Sequence, residues 1–276
     1  MISHTQAKVV VFLDSGVGGL PYLRRSRELL PRACLHYLAD DAGFPYGTKK
    51  PSEVEAILLD RTRRLRALLL PDLMVIACNT ASQIGLKTLR SANPDLPIIG
   101  TVPAIKPAAE ESPTGRIAVM ATQRTIEDPY LDDLIARYAS ETSVLKLPAQ
   151  DLVSFVERRY LDSDAQERRI AVEPYVRRLI DQKIDRVILA CTHFLYLQDD
   201  ISACAAALGA TRLKIVDSLE GVANRVKQLL PQNGETGIEA ASLPPKGRFL
   251  LSSDPPFDPS YYRWASSFGL GPPERL

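Results

Sequence analysis

Two apolar runs that end in the same dipeptide constrain this chain more than any other feature. Residues 73–82 read Leu-Met-Val-Ile-Ala-Cys-Asn-Thr-Ala-Ser, and residues 186–194 read Arg-Val-Ile-Leu-Ala-Cys-Thr-His-Phe. A short apolar run of this kind, bounded in the first case by Pro71 and small polar residues, reads as a buried parallel strand. Residues 83–90 then have helix-forming composition, with Ile84, Leu86 and Leu89 available for burial. Cys78 therefore falls where a strand gives way to a helix, the edge at which open α/β sheets bind ligands. A helix N-terminus there lowers a thiol pKa. A single such cysteine reads equally well as a small buried hydrophobe. The second copy, with Cys191 at the matching position, points instead to chemistry. Two thiols facing each other across one cleft suit a reaction that needs a proton acceptor and a proton donor on opposite faces of one carbon.

Composition narrows the field by exclusion. A chain of 276 residues, 45% hydrophobic and 24% charged, builds one large or two medium domains with an ample core. Its formal net charge of +1 offers no global attraction to nucleic acid or an anionic membrane. The basic run at 61–66 reads as a solvated helix face. No apolar stretch has the length of a membrane span, and residues 1–8 carry no signal-peptide core, so a cytoplasmic location is expected. The four cysteines, Cys34, Cys78, Cys191 and Cys204, form no disulfide framework and no C-x-x-C pair. Cys191-x-His193 alone falls short of a zinc site, so no metal is expected.

Taken in order, residues 8–13 predict a first strand, followed by Asp14-Ser15-Gly16-Val17-Gly18-Gly19. Glycines at the head of a helix permit a tight turn and offer N–H groups to an anion, although the spacing matches neither the P-loop nor the dinucleotide fingerprint. A plain structural turn is the alternative. Asp14 at the strand end is placed to bind an ammonium group or to orient a donor. Residues 34–38 predict a second strand leading into a turn-rich loop, residues 40–47. Ser52 ahead of Glu53 and Glu55 suggests a cap for a helix running to about Leu70. From Thr101 the pattern restarts, with a strand at 115–122 ending in Thr122, a helix at 126–138, and a helix at 151–160 carrying Glu157. A helix at 167–182 is expected to be kinked or split by Pro174. Residues 231–246 predict a loop, 248–252 a strand and 261–268 a short helix.

In their order along the chain, Asp14-Ser15-Gly16-Val17-Gly18-Gly19, Pro45-Tyr46-Gly47, Cys78-Asn79-Thr80-Ala81-Ser82, Ala121-Thr122 and Cys191-Thr192-His193 resemble the glutamate racemase family, within the wider aspartate/glutamate racemase superfamily. The resemblance runs from about Val9 to Leu230. It implies an α/β fold of two pseudo-symmetric, doubly wound parallel-sheet domains with the active site between them: residues 1–98 with 213–276, and residues 99–212. It also implies cofactor-independent inversion at Cα, with Cys78 removing the proton of D-glutamate and Cys191 that of L-glutamate. Asp14 and His193 would help the thiols handle protons, and Glu157 would stand near the site. Asp14, Ser15, Tyr46, Gly47, Asn79, Thr80, Thr122, Thr192 and His193 would bind substrate. The expected partner is a small molecule, glutamate, with a homodimer as the assembly and neither nucleic acid nor membrane. D-Glutamate would supply peptidoglycan, linking the enzyme to cell-wall biogenesis and cell shape. Two departures stand out. Arg159 replaces a usual glycine, and Phe194-Leu195-Tyr196-Leu197 replaces Tyr-Pro-Leu-Leu, which predicts a less constrained loop after Cys191.

Other readings stay open at this level. An aspartate or hydantoin racemase would use the same chemistry in a pocket of different length. A phosphatase-type cysteine needs a basic residue closing its loop, and residues 79–85 hold none. A non-catalytic binding protein on the same fold would be favoured by loss of either thiol. His193 also reads plainly as a core histidine.

Overall fold

The computed structural model describes residues 7–230 and 246–276. The loop expected over 231–246 lies almost wholly outside them. The chain begins with β1 (Val9–Asp14), α1 (Leu20–Leu29), β2 (Cys34–Ala39), α2 (Pro51–Leu69), β3 (Leu73–Ile76), α3 (Asn79–Ala92) and β4 (Ile98–Gly100). It continues through α4 (Ile105–Glu111), β5 (Arg116–Ala121), α5 (Gln123–Glu127), α6 (Pro129–Tyr138), β6 (Ser143–Pro148), α7 (Gln150–Arg159), α8 (Ala165–Asp181), β7 (Arg186–Leu189), α9 (Gln198–Ala207) and β8 (Lys214–Val216). It closes with α10 (Leu219–Leu229), β9 (Phe249–Leu251), α11 (Pro259–Ser267) and β10 (Pro273–Arg275).

Among the described residues all strand pairings are parallel, and they form two sheets. The first has the order β10-β9-β2-β1-β3-β4 and the second β6-β5-β7-β8. Without β9 and β10 the two orders are the same, so β3 and β7, the strands that lead to Cys78 and Cys191, hold equivalent places beside β1 and β5. Side chains alternate across each strand, and both faces are covered by helices. Val10 and Phe12 of β1 pack into one cluster with Leu20, Leu23, Val222 and Trp264, while Val11 and Leu13 pack into another with Leu58, Leu65 and Leu89. The second sheet repeats this, with Met120 and Leu189 facing Val156 and Val176, and Val119 and Ile188 facing Ile105 and Leu131.

The sheets divide the chain differently from the boundaries at 98 and 213. Gly100 of β4 pairs with Ile76 in the first sheet, and Lys214–Val216 pairs with β7 in the second. Local details also shift. Helix α2 starts with Pro51 in its first turn and Lys50 as its uncapped N-cap, so Ser52 is not the cap. Asp128 and Pro129 break the helix expected at 126–138 into α5 and α6, Asp128 capping the second by accepting the Tyr130 N–H at 2.9 Å. Pro174 does not divide α8, whose halves are held by the buried Val172, Val176 and Leu179. The basic run at 61–66 is only partly solvated, since Arg61 turns inward to Asp40 at 2.7 Å. No helix among the described residues is long and apolar enough to cross a membrane.

An aspartate stands six residues before each thiol and ties its strand to a neighbour. Asp72 accepts the N–H of Val9 at 2.8 Å, at the head of β1. Asp185 accepts Ser112 Oγ at 2.7 Å and the Thr114 N–H at 2.9 Å, just ahead of β5. Burial works to raise the Asp185 pKa, but the donors from Thr114 and Ser112 outweigh it and hold the carboxyl below its ordinary value of 3.8. Its contribution is therefore fully present above that value and is lost as pH falls through the lower, folded-state pKa. Asp185→Ala should cost about 1–3 kcal/mol. Thermal melts should show a lower midpoint at pH 7, with the wild-type and variant midpoints converging in acid.

Candidate active site

The carboxyl ends of both sheets meet around one small cavity. It is lined by Ser15, Pro45, Tyr46, Gly47, Cys78, Asn79, Thr80, Thr122, Gln150, Val153, Cys191, Thr192 and His193. Ten of the residues expected at the site thus line it, and Asp14 and Glu157 stand behind them. The cavity measures about 20 Å³, room for about one water and far too little for a five-carbon dicarboxylate. Cys78 and Cys191 are each 6% exposed, one on each side.

The two thiols have unlike surroundings. Cys78 is the N-cap of α3. Burial pushes its thiol well above the ordinary value, and the nearby Asp14 carboxylate adds to this, while the Ala81 N–H in the first turn of α3 opposes it. Asp14 is wholly buried; its Oδ2 accepts the Thr192 hydroxyl at 2.9 Å and its Oδ1 the N–H of Ser15. Burial raises the Asp14 pKa too, against the lowering effect of His193 and Thr192.

Cys191 belongs to a relay. Its sulfur lies 3.9 Å from His193 Nδ1, and His193 Nε2 is 3.0 Å from Glu157 Oε2. Burial disfavours a charged imidazole, but Cys191 and Glu157 outweigh it and hold His193 well above its ordinary value. A ring that donates from Nε2 to a carboxylate presents Nδ1 to the thiol, the logic of an activated nucleophile or base. Glu157 Oε2 also accepts the N–H of Val17 at 3.0 Å. The anion met by the glycine-rich turn is therefore the chain's own Glu157. A Cβ on Gly16 would lie 2.4 Å from Glu157 Oε2, and one on Gly18 2.4 Å from His193 Nδ1. These glycines let backbone approach the relay from the opposite sheet.

The loop after Cys191 is a 3-10 turn at Thr192–Leu197, with Thr192, His193, Phe194 and Leu197 buried. Tyr196 donates to the Val17 carbonyl at 2.9 Å and packs on Trp264 at 5.0 Å. Packing thus supplies the constraint that the absent proline does not, and the expected slackness is not found.

Polar groups without a partner face the cavity. Neither Asn79 Oδ1 nor Asn79 Nδ2 has a hydrogen-bond partner among the described residues, and Gln150 Oε1 has none either. Thr80 bridges the two sheets' helices, 3.3 Å from both Thr122 Oγ1 and Thr125 Oγ1. Tyr46 donates to Asp40 at 2.7 Å, and Arg61 holds the other oxygen of Asp40. No lysine or arginine lines the cavity among the described residues. An anionic ligand there is met by hydroxyls, carboxamides and the N-terminus of α3. Gln150 and Val153 lie outside the expected set, and Pro45 stands in a quoted motif without having been assigned to the site; Gln150 opens α7 two residues after β6, whereas Thr122 follows β5 directly. Tyr261, which donates to Glu157 Oε1 at 3.1 Å, carries no local sequence signal at all.

A parallel α/β fold with paired thiols at equivalent strand ends defines a class, and the comparisons agree with it. The model of the Asp/Glu/Hydantoin racemase family matches residues 23–226, and the chain belongs to that family. Its activity is that of a racemase, an isomerase. Among curated relatives, a glutamate racemase of Sphingopyxis alaskensis is 44% identical over 225 residues, covering 80% of this chain and 81% of its own. One from Rhizobium meliloti is 36% identical over 233 residues, covering 83% and 82%. The crystal structure of Escherichia coli glutamate racemase, in complex with L-glutamate and the activator UDP-MurNAc-ala, superposes with a TM-score of 0.84 at 29% identity, covering 98% of each chain.

Gly18→Ala should collide with His193 and Thr192. Turnover should fall by at least roughly 10-fold, about 1.4 kcal/mol of barrier, while the far-ultraviolet dichroism of the variant stays that of the wild type.

Proposed function

We propose that this protein interconverts L-glutamate and D-glutamate without a cofactor, Cys78 and Cys191 serving as acid and base on opposite faces of Cα. The observation that carries the reading is the pair of equivalent strand-end thiols, one from each sheet, on the wall of a single cavity. The glutamate assignment draws on the curated relatives' names and on the Escherichia coli protein solved with L-glutamate.

In the L-to-D direction Cys191 acts as the base, its own proton having passed to His193, whose charge Glu157 offsets. Cys78, which burial and Asp14 hold in the thiol form, delivers a proton to the other face. The reverse direction exchanges these roles. The Cα proton is weakly acidic, and Ser15, Asn79, Thr80, Thr122 and Thr192 hold the substrate carboxylates by hydrogen bonds. Fixing substrate between two thiols contributes on the order of 7–11 kcal/mol when the geometry is near attack. One thiol-bearing body is the first half with the C-terminal return, and the other is the middle of the chain. Tyr46 and Gly47 on the first body and Gln150 on the second close over the substrate. The product D-glutamate feeds peptidoglycan synthesis, placing the enzyme in cell-wall biogenesis in the cytoplasm.

Incubation with either enantiomer should drive the circular dichroism of the solution to that of a racemate, and aspartate should react more slowly. Faster reaction of aspartate would overturn the substrate. Replacing either Cys78 or Cys191 by Ala should lower turnover by roughly 10²–10⁴-fold, the size of a general acid–base contribution. With Cα-deuterated substrates, Cys78→Ser should raise the primary isotope effect from D-glutamate, and Cys191→Ser that from L-glutamate. Near-wild-type turnover in either Ala variant would eliminate the two-thiol mechanism.

A further inference from the structure

Among the described residues, the C-terminal segment contributes none to the cavity, yet it is tied to both of its walls. Beyond β9, the N–H groups of Ser252 and Ser253 each donate to Asp41 Oδ1 at 2.9 Å, next to the loop that carries Tyr46 and Gly47. Helix α11 reaches the other wall. Arg263 pairs with Asp162 at 2.6 Å and donates to the Leu161 carbonyl at 2.8 Å, and Trp264 stacks on Tyr160 at 6.1 Å. One turn earlier, the Tyr261 hydroxyl meets Glu157 Oε1 at 3.1 Å.

We propose that Tyr261 is a positioning residue for the Cys191 half of the reaction, its hydroxyl fixing the carboxylate of Glu157 and, through it, the ring of His193. The inference rests on the function proposed above. Glu157 Oε2 is shared between the Val17 N–H and His193 Nε2. The terminal torsion of a glutamate is broad, so a carboxylate held at one oxygen rocks about that point. A donor on Oε1 fixes the carboxylate plane and keeps Oε2 aimed at the imidazole. It also draws charge away from His193, so that the shared proton stays on Nε2 and Nδ1 remains turned to the sulfur. Burial and the Glu157 charge raise the Tyr261 phenol far above its ordinary value, so it acts as a donor at any working pH. Docking of α11 does not require this hydroxyl, because Arg263 and Trp264 already anchor the helix and the Tyr261 ring packs 6.2 Å from that of Phe249.

The test is Tyr261→Phe, which removes one oxygen and keeps the ring. Turnover should fall roughly 10- to 150-fold, the range for one hydrogen bond to a charged group. The decisive readout is the primary deuterium isotope effect with each Cα-deuterated enantiomer. It should rise for the enantiomer whose isotope effect Cys191→Ser raises, and it should not rise for the other. Trp264→Phe serves as the control for loosened packing; it should lower the melting temperature without producing that one-sided change. Unchanged isotope effects in Tyr261→Phe, effects that move together, or the same asymmetry in Trp264→Phe would each overturn the assignment. If the wild-type protein racemises neither enantiomer, the functional reading falls and takes this inference with it. If the wild type is active, the Tyr261→Phe result bears on Tyr261 alone.

Discussion

One buried carboxylate organises the space between the two sheets. Glu157 is 8% exposed, and removing a charge from water to that degree is costly unless its oxygens are met. They are met from three directions: the glycine-rich turn after β1, the imidazole after β7, and the helix near the chain's end. Much of the local sequence answers to this carboxylate. Side chains at positions 16 and 18 would occupy the space of Glu157 and His193, so the turn is written in glycine. Tyr37 then secures the same turn from below, accepting the Gly19 N–H and donating to the Gly16 carbonyl.

The symmetry of the scaffold and the asymmetry of its flanks have separate causes. Parallel strands buried on both faces need apolar residues along their length, and they release polar groups only where the chain leaves the sheet. Ala-Cys recurs at that point in both halves because β3 and β7 occupy the same place in the same strand order. Past the two cysteines the halves diverge. After β3 the chain enters helix α3 at once, whereas after β7 it runs through a 3-10 turn that brings His193 back beside its own cysteine.

Local repetition made the two strand-end thiols legible in the sequence, and the family resemblance supplied most of the residues around them. The apolar runs, the glycine-rich turn, Tyr46-Gly47 and the small polar residues after each cysteine are contiguous signals, and the cavity gathers them. Less legible was anything decided by partners distant in the chain. The role of the glycines depends on a carboxylate 140 positions away, and that of Tyr261 on one 104 positions away. The resemblance returns residues 213–276 to the first domain and the sequence marks 248–252 as a strand, but β10 and the parallel seat of β9 on the open edge of β2 depend on contacts that three-residue strands do not announce. Asp72 and Asp185 were visible as letters but gained meaning only when the neighbouring strand ends lay against them.

The unlike flanks of the two thiols have a consequence for how the enzyme rests rather than how fast it works. Mirror-image amino acids have the same free energy in water, so the proposed reaction has an equilibrium constant of unity. Detailed balance then makes kcat/KM identical in the two directions, whatever stands beside each sulfur. Asp14 beside Cys78, and His193 with Glu157 beside Cys191, can bias only the populations of the bound states. One enantiomer saturates the enzyme at lower concentration and turns over more slowly in the same proportion. The handedness of the protein is thus expressed as occupancy: in a racemic pool, one mirror image is the form that the enzyme holds.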